Sequence, residues 1–249
     1  MKKTSNNPLP IWPAYDQLIA VRKTMHASIA GLSLLATDES LSVKVETLLK
    51  MKSSFDLKFD TKEIANSAQS IVDTAIALSN NNFHSTRCAG LVAVCAAMEN
   101  LTKCAFVYWA ESSPTKLSGL ESTMMSILTN DQSTLPLRDR LFNLADRIVQ
   151  DLSRKEKSQF ARIRALLIAH FPDFVTEFDS ESSAVETTHF DNAFLVRNCV
   201  VHSGGLPNVR KARELKIEQG ESITLTKDTM SHYFGAIEGT AAALTSCDL

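Results

Sequence analysis

The sequence predicts a mainly α-helical fold, and three observations carry that expectation. Gly and Pro number only 8 and 7 in 249 residues, too few turn formers for a sandwich or barrel of many short strands. Apolar residues recur at spacings of three and four through most of the chain, the period of an amphipathic helix. Alternation at period two is confined to one short stretch near the C-terminus.

The elements follow in order. Beyond a polar, Pro-containing start, Leu18, Val21, Met25, Ile29 and Leu32 place a helix over Tyr15 to Ala36. A shorter one is expected over Ser40 to Met51. Asp60 and Glu63 have capping-box spacing. Ile64, Ala68, Ile71, Ala75 and Leu78 then carry a third helix to the break at Ser79-Asn80-Asn81-Asn82. Ser85 to Ala110 is dense in Ala, Cys, Val and Met, the composition of a central helix packed on several sides. Ser113-Pro114 closes it. Helices are further expected over Leu117 to Leu128, Pro136 to Leu152 and Lys155 to His170, the last closed by Phe171-Pro172.

Asp179 to Thr188 is polar and reads as a loop, followed by an apolar helix from Phe190 to Val201. Gly204-Gly205 suits a left-handed C-cap after it. Leu215, Ile217, Ile223 and Leu225 then alternate with polar residues around Gln219-Gly220-Glu221, the pattern of a short β-hairpin. Thr226 to Thr245 is a last helix. With no internal repeat and no low-complexity linker, residues 1–249 are expected to form a single helical domain.

Composition narrows the function. The chain has 44% apolar and 22% charged residues, and Lys+Arg 26 against Asp+Glu 28 give a formal net charge of -2. The ordinary apolar share speaks against disorder. No global positive field exists to hold duplex DNA. The one basic bias noted is Arg138 to Arg164, eight basic against four acidic side chains. Because the signs are interspersed, it reads first as a solvated helical face laced with ion pairs. The five cysteines, Cys88, Cys95, Cys104, Cys199 and Cys247, lack CxxC spacing, so neither a disulfide framework nor a zinc knuckle is indicated. Residues 1–13 show no secretory h-region. The apolar run Ala89 to Met98 is half of the roughly 20 residues a membrane span needs. The expected location is the cytoplasm, with no membrane partner.

GxSxG, P-loop, GxGxxG and HExxH signatures are missing. Chemistry therefore has to be sought among histidines with polar neighbours. Phe194-Leu195-Val196-Arg197-Asn198-Cys199-Val200-Val201-His202-Ser203-Gly204-Gly205 is an apolar helix interrupted by Arg, Asn and His. Burying those groups unpaired costs several kcal/mol, so they must find partners, line a wet cleft or meet another subunit. At about 100° per residue, Asn198 and His202 lie about 40° apart on one face, and Arg197 reaches the same region with its long side chain. Arg offers a donor fork matched to phosphate oxygens, Asn a neutral donor and acceptor, and His a proton carrier near neutrality. Those are the requirements of RNA cleavage through the 2'-hydroxyl, a reaction with no strict need of a metal.

The run Arg197-Asn198-xxx-His202 resembles the signature of the HEPN superfamily, an Arg, four to six residues, then a His, with a polar residue often directly after the Arg. The resemblance implies an all-helical HEPN-like bundle, most of it in residues 85–249 with residues 1–84 packed on it. It also implies frequent homodimers that bring two motifs together. In many members it implies metal-independent endoribonuclease activity in toxin–antitoxin, abortive-infection or CRISPR-associated systems, with RNA as substrate and an antitoxin or defence protein as a further partner. Arg197, Asn198 and His202 would be the catalytic set. Some members carry a Tyr two residues past the His; this chain has Gly204 there, so the modification chemistry of that Tyr does not transfer.

The motif is short, and Arg164-Ala-Leu-Leu-Ile-Ala-His170 also satisfies it. There Ala165 follows the Arg and Phe171-Pro172 the His, so the polar partner and glycine cap are absent. Glu99, on the central helix, is a supporting candidate that would orient His202 or Arg197; its bland alternative is an ion pair with Lys103, four residues on. His26, His84, His189 and His232 lack clustered ligands, so no metal and no cofactor is expected. Trp12, Tyr108 and Trp109 suit a helical core better than base stacking. Three functional classes remain: the ribonuclease, a non-catalytic HEPN-like module binding a nucleotide or partner protein, and a structural adaptor.

Overall fold

A computed structural model describes residues 11–37, 61–112 and 135–247, with Ser122 and Ser126 between the last two segments. The expected helices over Ser40 to Met51 and Leu117 to Leu128 lie outside the described residues, apart from Ser122 and Ser126, both helical. Helix α1 (Ile11–Thr37) starts ahead of the expected Tyr15. Pro13 sits in its first turn, where a missing N–H costs no intrahelical bond.

Helices α2 (Thr61–Asn80) and α3 (His84–Ser112) follow, separated by a turn in which Asn82 and Phe83 have φ of 48° and 53°. Helix α3 is the axis of the fold. Its buried residues, Leu91, Cys95, Met98, Leu101, Phe106 and Trp109 among them, point in all directions, as a helix packed on several sides requires. By length and composition α3 is apolar enough to cross a membrane, yet 61% of its most apolar stretch is buried within the protein.

Around α3 pack α1, α4 (Leu137–Lys155), α7 (Thr187–Ser203) and α9 (Lys227–Ser246). Helix α5 (Gln159–His170) bridges α4 and α7; Ser158 caps it, its hydroxyl accepting from the Ala161 N–H at 3.0 Å. A 3-10 turn (Pro172–Phe174) leads into α6 (Val175–Glu181), which packs on α9. The expected loop from Asp179 thus begins inside a helix. Phe178, fully buried, anchors that short helix in an otherwise polar stretch. A contiguous core runs from Ile11 to Cys247 and includes an aromatic cluster of Phe106, Trp109, Phe171 and Phe174. Trp109 is a core residue, its Nε1–H donating to the Cys247 carbonyl at 3.2 Å.

The C-terminal hairpin does not form; among the described residues there is no strand. Leu215 instead ends α8 (Val209–Leu215), which Lys216 stops in the left-handed conformation at φ 56°. The Gln219-Gly220 turn is present. Beyond it Ile223 and Leu225 bury while Thr224 stays exposed, so the alternation is real. What is missing is a partner strand. The Leu225 N–H donates to His84 Nδ1 at 3.2 Å, and its carbonyl accepts from Arg87 at 3.3 Å. Side chains from the first turn of α3 therefore satisfy the backbone groups that a second strand would otherwise have to satisfy.

Candidate functional site

The last turns of α7 carry the motif because an apolar face locks this helix to α3 and α9. Phe190, Ala193, Phe194, Val196 and Cys199 are buried, leaving Arg197, Asn198 and His202 on the sides that face out of the core. Gly204, at φ 58°, ends the helix as the left-handed cap expected for it. The N–H groups of Gly204 and Gly205 both donate to the Cys199 carbonyl, the second at 3.1 Å.

Three of the four singled-out residues meet. Arg197 donates through one terminal nitrogen to Asn198 Oδ1 at 2.9 Å and through the other to Glu99 Oε2 at 3.2 Å. Arg197 Nε is buried without a hydrogen-bond partner among the described residues. The cluster is not sealed, for the Arg197 and Glu99 side chains keep 22% and 34% of their exposure. His202 stands apart on the last turn of α7, exposed and without a hydrogen bond or ion pair among the described residues. Cys95, a turn before Glu99, is raised well above the ordinary thiol range, by burial first, with Arg197 lowering it and Glu99 raising it. It is an inert core thiol.

The alternative pairing of Glu99 with Lys103 is overturned. Lys103 crosses to Asp146 on α4 and lies 5.6 Å from the Phe142 ring, leaving the Glu99 carboxylate to Arg197. Glu99 also lines one wall of a narrow crevice between α3, α4 and α5, with Thr102, Gln159 and Arg162 among its polar residues.

The second Arg-x-His run is spent on structure. Arg164 Nε and a terminal nitrogen hold both oxygens of Asp179 at 2.8 and 2.7 Å. His170 lies edge-on to Phe106, ring centroids 6.2 Å apart. Of the basic stretch from Arg138 to Arg164, Arg138 pairs with Glu111, Arg154 with Asp151 and Arg164 with Asp179, as its solvated reading anticipates. His189 and His232 stack at 4.8 Å, with His189 Nδ1 2.8 Å from Glu186.

One set of residues near the motif escaped the sequence reading. Helix α8 follows the Gly cap directly and carries Arg210, Lys211, Arg213 and the adjoining Lys216 against Glu214. The signal was available in the density of basic residues over Arg210 to Lys216. It was masked by the longer basic stretch upstream. The chain matches no protein-family profile, no curated protein and no solved structure.

Proposed function

We propose that this protein is a HEPN-type endoribonuclease that needs no metal, works as a homodimer and serves as the toxic effector of a bacterial defence or toxin–antitoxin system. The observation that carries the reading is the contrast within one motif. Arg197 is oriented by Glu99 and Asn198, while His202 is an exposed imidazole with no protein partner among the described residues.

In the reaction the ribose 2'-oxygen attacks phosphorus and the bond from phosphorus to the 5'-oxygen breaks, leaving a 2',3'-cyclic phosphate and a 5'-hydroxyl. One proton leaves the 2'-hydroxyl and one reaches the departing 5'-oxygen. His202 takes the first and, as imidazolium, delivers the second. Arg197 stabilises the charge that builds on the phosphate oxygens. Asn198 positions phosphate or ribose, and Glu99 fixes the guanidinium plane.

Purified protein should cleave single-stranded or structured RNA with chelator present. His202→Ala should lower the rate by roughly 10²- to 10⁴-fold, the worth of a general acid–base group, at an unchanged melting temperature. Toxicity on expression should be relieved by the same substitution. Absence of cleavage by the parent, or cleavage that survives His202→Ala, defeats the proposal. The bonds that tie Arg197 to its own chain favour one other reading, a non-catalytic helical binding module. Under it Arg197→Ala would break the dimer or the fold, with no RNA cleavage in the parent.

A further inference from the structure

Residues 221–226 form an arm without helix between the Gln219-Gly220 turn and α9, and hydrogen bonds stitch it to two parts of the fold. Toward one end the Ile223 N–H donates to the Gly205 carbonyl at 3.0 Å, just past the cap of α7. Toward the other the Leu225 N–H donates to His84 Nδ1 at 3.2 Å, and the Leu225 carbonyl accepts from Arg87 at 3.3 Å. Ile223 and Leu225 are 7% and 1% exposed, so water can replace a lost partner only if the arm lifts.

The direction of the Leu225 bond fixes the state of His84. A backbone N–H can only donate, so Nδ1 carries a lone pair and the neutral ring holds its proton on Nε2. Nε2 lies 3.4 Å from Cys88 Sγ, to which it donates. Burial raises the Cys88 thiol above its ordinary range, so the sulfur is uncharged at neutrality and supplies no counter-ion. A second proton on the ring has one place to go, Nδ1, where it meets the Leu225 N–H head on. The surroundings oppose that charge as well. His84 is the first residue of α3, at the positive end of the helix dipole. Arg87, which also donates to the Asn82 carbonyl, grips the same Leu225 peptide. The end of α2 with its turn, residues 74–83, and the connection at residues 204–208 contain no charged side chain. Helix α1 runs antiparallel to α9, with Arg22 on Glu238 and His26 beside Phe234, so its stretch toward this end of the bundle, residues 27–37, is uncharged too. The arm and the start of α9 bring Glu221, Lys227 and Asp228, and α7 ends on His202; none of them pairs with His84 among the described residues.

We propose that His84 is a proton-operated latch: neutral, it fastens the arm to α3 and, through Ile223, holds the chain at Gly205 behind α7; protonated on Nδ1, it turns out the Leu225 N–H and frees the arm. An imidazole outside the latch takes up its proton at about pH 6.5. Because the closed latch excludes that proton and the open one accepts it, closure is favoured above that pH and weakens as pH falls below it. The helices keep their own packing, so the release is a local opening of the arm and not an unfolding of the bundle. The latch acts on the segment that follows His202 and requires nothing of the ribonuclease reading.

The test is amide hydrogen exchange of the full chain at about pH 7.5 and about pH 5, on either side of the free imidazole value, with each rate corrected for the intrinsic pH dependence of exchange. Protection of the Leu225 and Ile223 amides should fall roughly tenfold or more at the lower pH, while fully buried Ile237, in the middle of α9, keeps its protection. His84→Gln puts a carbonyl oxygen where no proton can be gained, and its Leu225 protection should be the same at both pH values. His26→Gln, which removes an exposed histidine on α1, should behave as the parent does. Ring nitrogen NMR shifts of His84 give a reading that needs no variant: at neutral pH they should place the proton on Nε2. Any of these results overturns the proposal: parent protection at Leu225 that does not change with pH, a loss that persists in His84→Gln or disappears in His26→Gln, a loss shared equally by Ile237 or not shared by Ile223, or a neutral ring protonated on Nδ1.

Discussion

The Glu99 carboxylate lies 3.2 Å from the Arg197 guanidinium across the interface between α3 and α7. It joins the axis of the fold to the helix that carries the motif. With both side chains about a quarter to a third exposed, the pair falls between surface ion pairs, worth about 0 to 1 kcal/mol, and buried ones, whose disruption costs about 3 to 5 kcal/mol. Glu99→Gln should therefore cost about 1 to 2 kcal/mol in urea unfolding. The control is Glu214→Gln, which breaks the more exposed Arg210 pair. Equal losses in the two variants would mean that Glu99 does no more than a surface acid.

Gly204 decides where α7 stops, and with it the position of His202. Its φ of 58° is unfavourable for any L side chain, while a Cβ built there meets nothing within 4 Å. Backbone strain alone should then set the cost of Gly204→Ala, about 1 to 2 kcal/mol. Gly204→Asn should cost less, because Asn tolerates the left-handed region. Thermal unfolding of the two variants gives the comparison. Equal losses would show that something other than backbone conformation holds the cap.

Much of this arrangement was readable from residue order, for reasons specific to each element. Helix α3 declared itself because its apolar residues cover every face, and α7 because Arg197, Asn198 and His202 interrupt a greasy run. Helix α6 hid behind polar neighbours, with Phe178 alone as its fully buried anchor. Helix α8 spans seven residues with Ala212 as its buried one, too short for a period to show. The partner of Lys103 was beyond reach of local spacing, since Asp146 stands 43 residues away. The false hairpin has the clearest cause. Period-two burial at Ile223 and Leu225 reports one extended arm correctly, but it says nothing of whether the facing hydrogen bonds come from a strand or from His84 and Arg87.

That substitution of side chains for a strand makes a prediction. Leu225 is 1% exposed, and its N–H has the His84 ring as acceptor. His84→Phe keeps a ring but removes the acceptor, leaving a buried N–H unpaired at a cost of about 1 to 3 kcal/mol. His84→Gln, which brings a carbonyl oxygen, should recover part of it. Amide exchange at Leu225 should accelerate in the Phe variant ahead of exchange in the middle of α9. Unchanged protection at Leu225 would remove His84 from the account of this segment.

Two carboxylates give the acid side of the stability curve opposite slopes. Hydrogen bonding by Arg164 holds Asp179 below the usual carboxylate range. A lowered folded pKa means stability that is present above the unfolded value, about 3.9, and is lost as pH falls from there through the folded value. Asp179→Asn should remove that acid-side loss. The pair is about two-fifths exposed, so its contribution should shrink as salt is added. Glu238 behaves in reverse. Burial raises it above the ordinary range against the pull of Arg22, and its Oε1 is buried without a partner among the described residues. The folded state therefore holds its proton more tightly than the unfolded chain does. Its contribution is present below the unfolded value, about 4.3, and is lost as pH rises through the raised folded value. Urea midpoints followed from neutrality to about pH 3 should show Glu238→Gln flattening a fall in stability with rising pH and Asp179→Asn flattening a rise. A Glu238→Gln curve parallel to the parent's across the carboxylate range would show that the Glu238 proton does not discriminate between folded and unfolded chain.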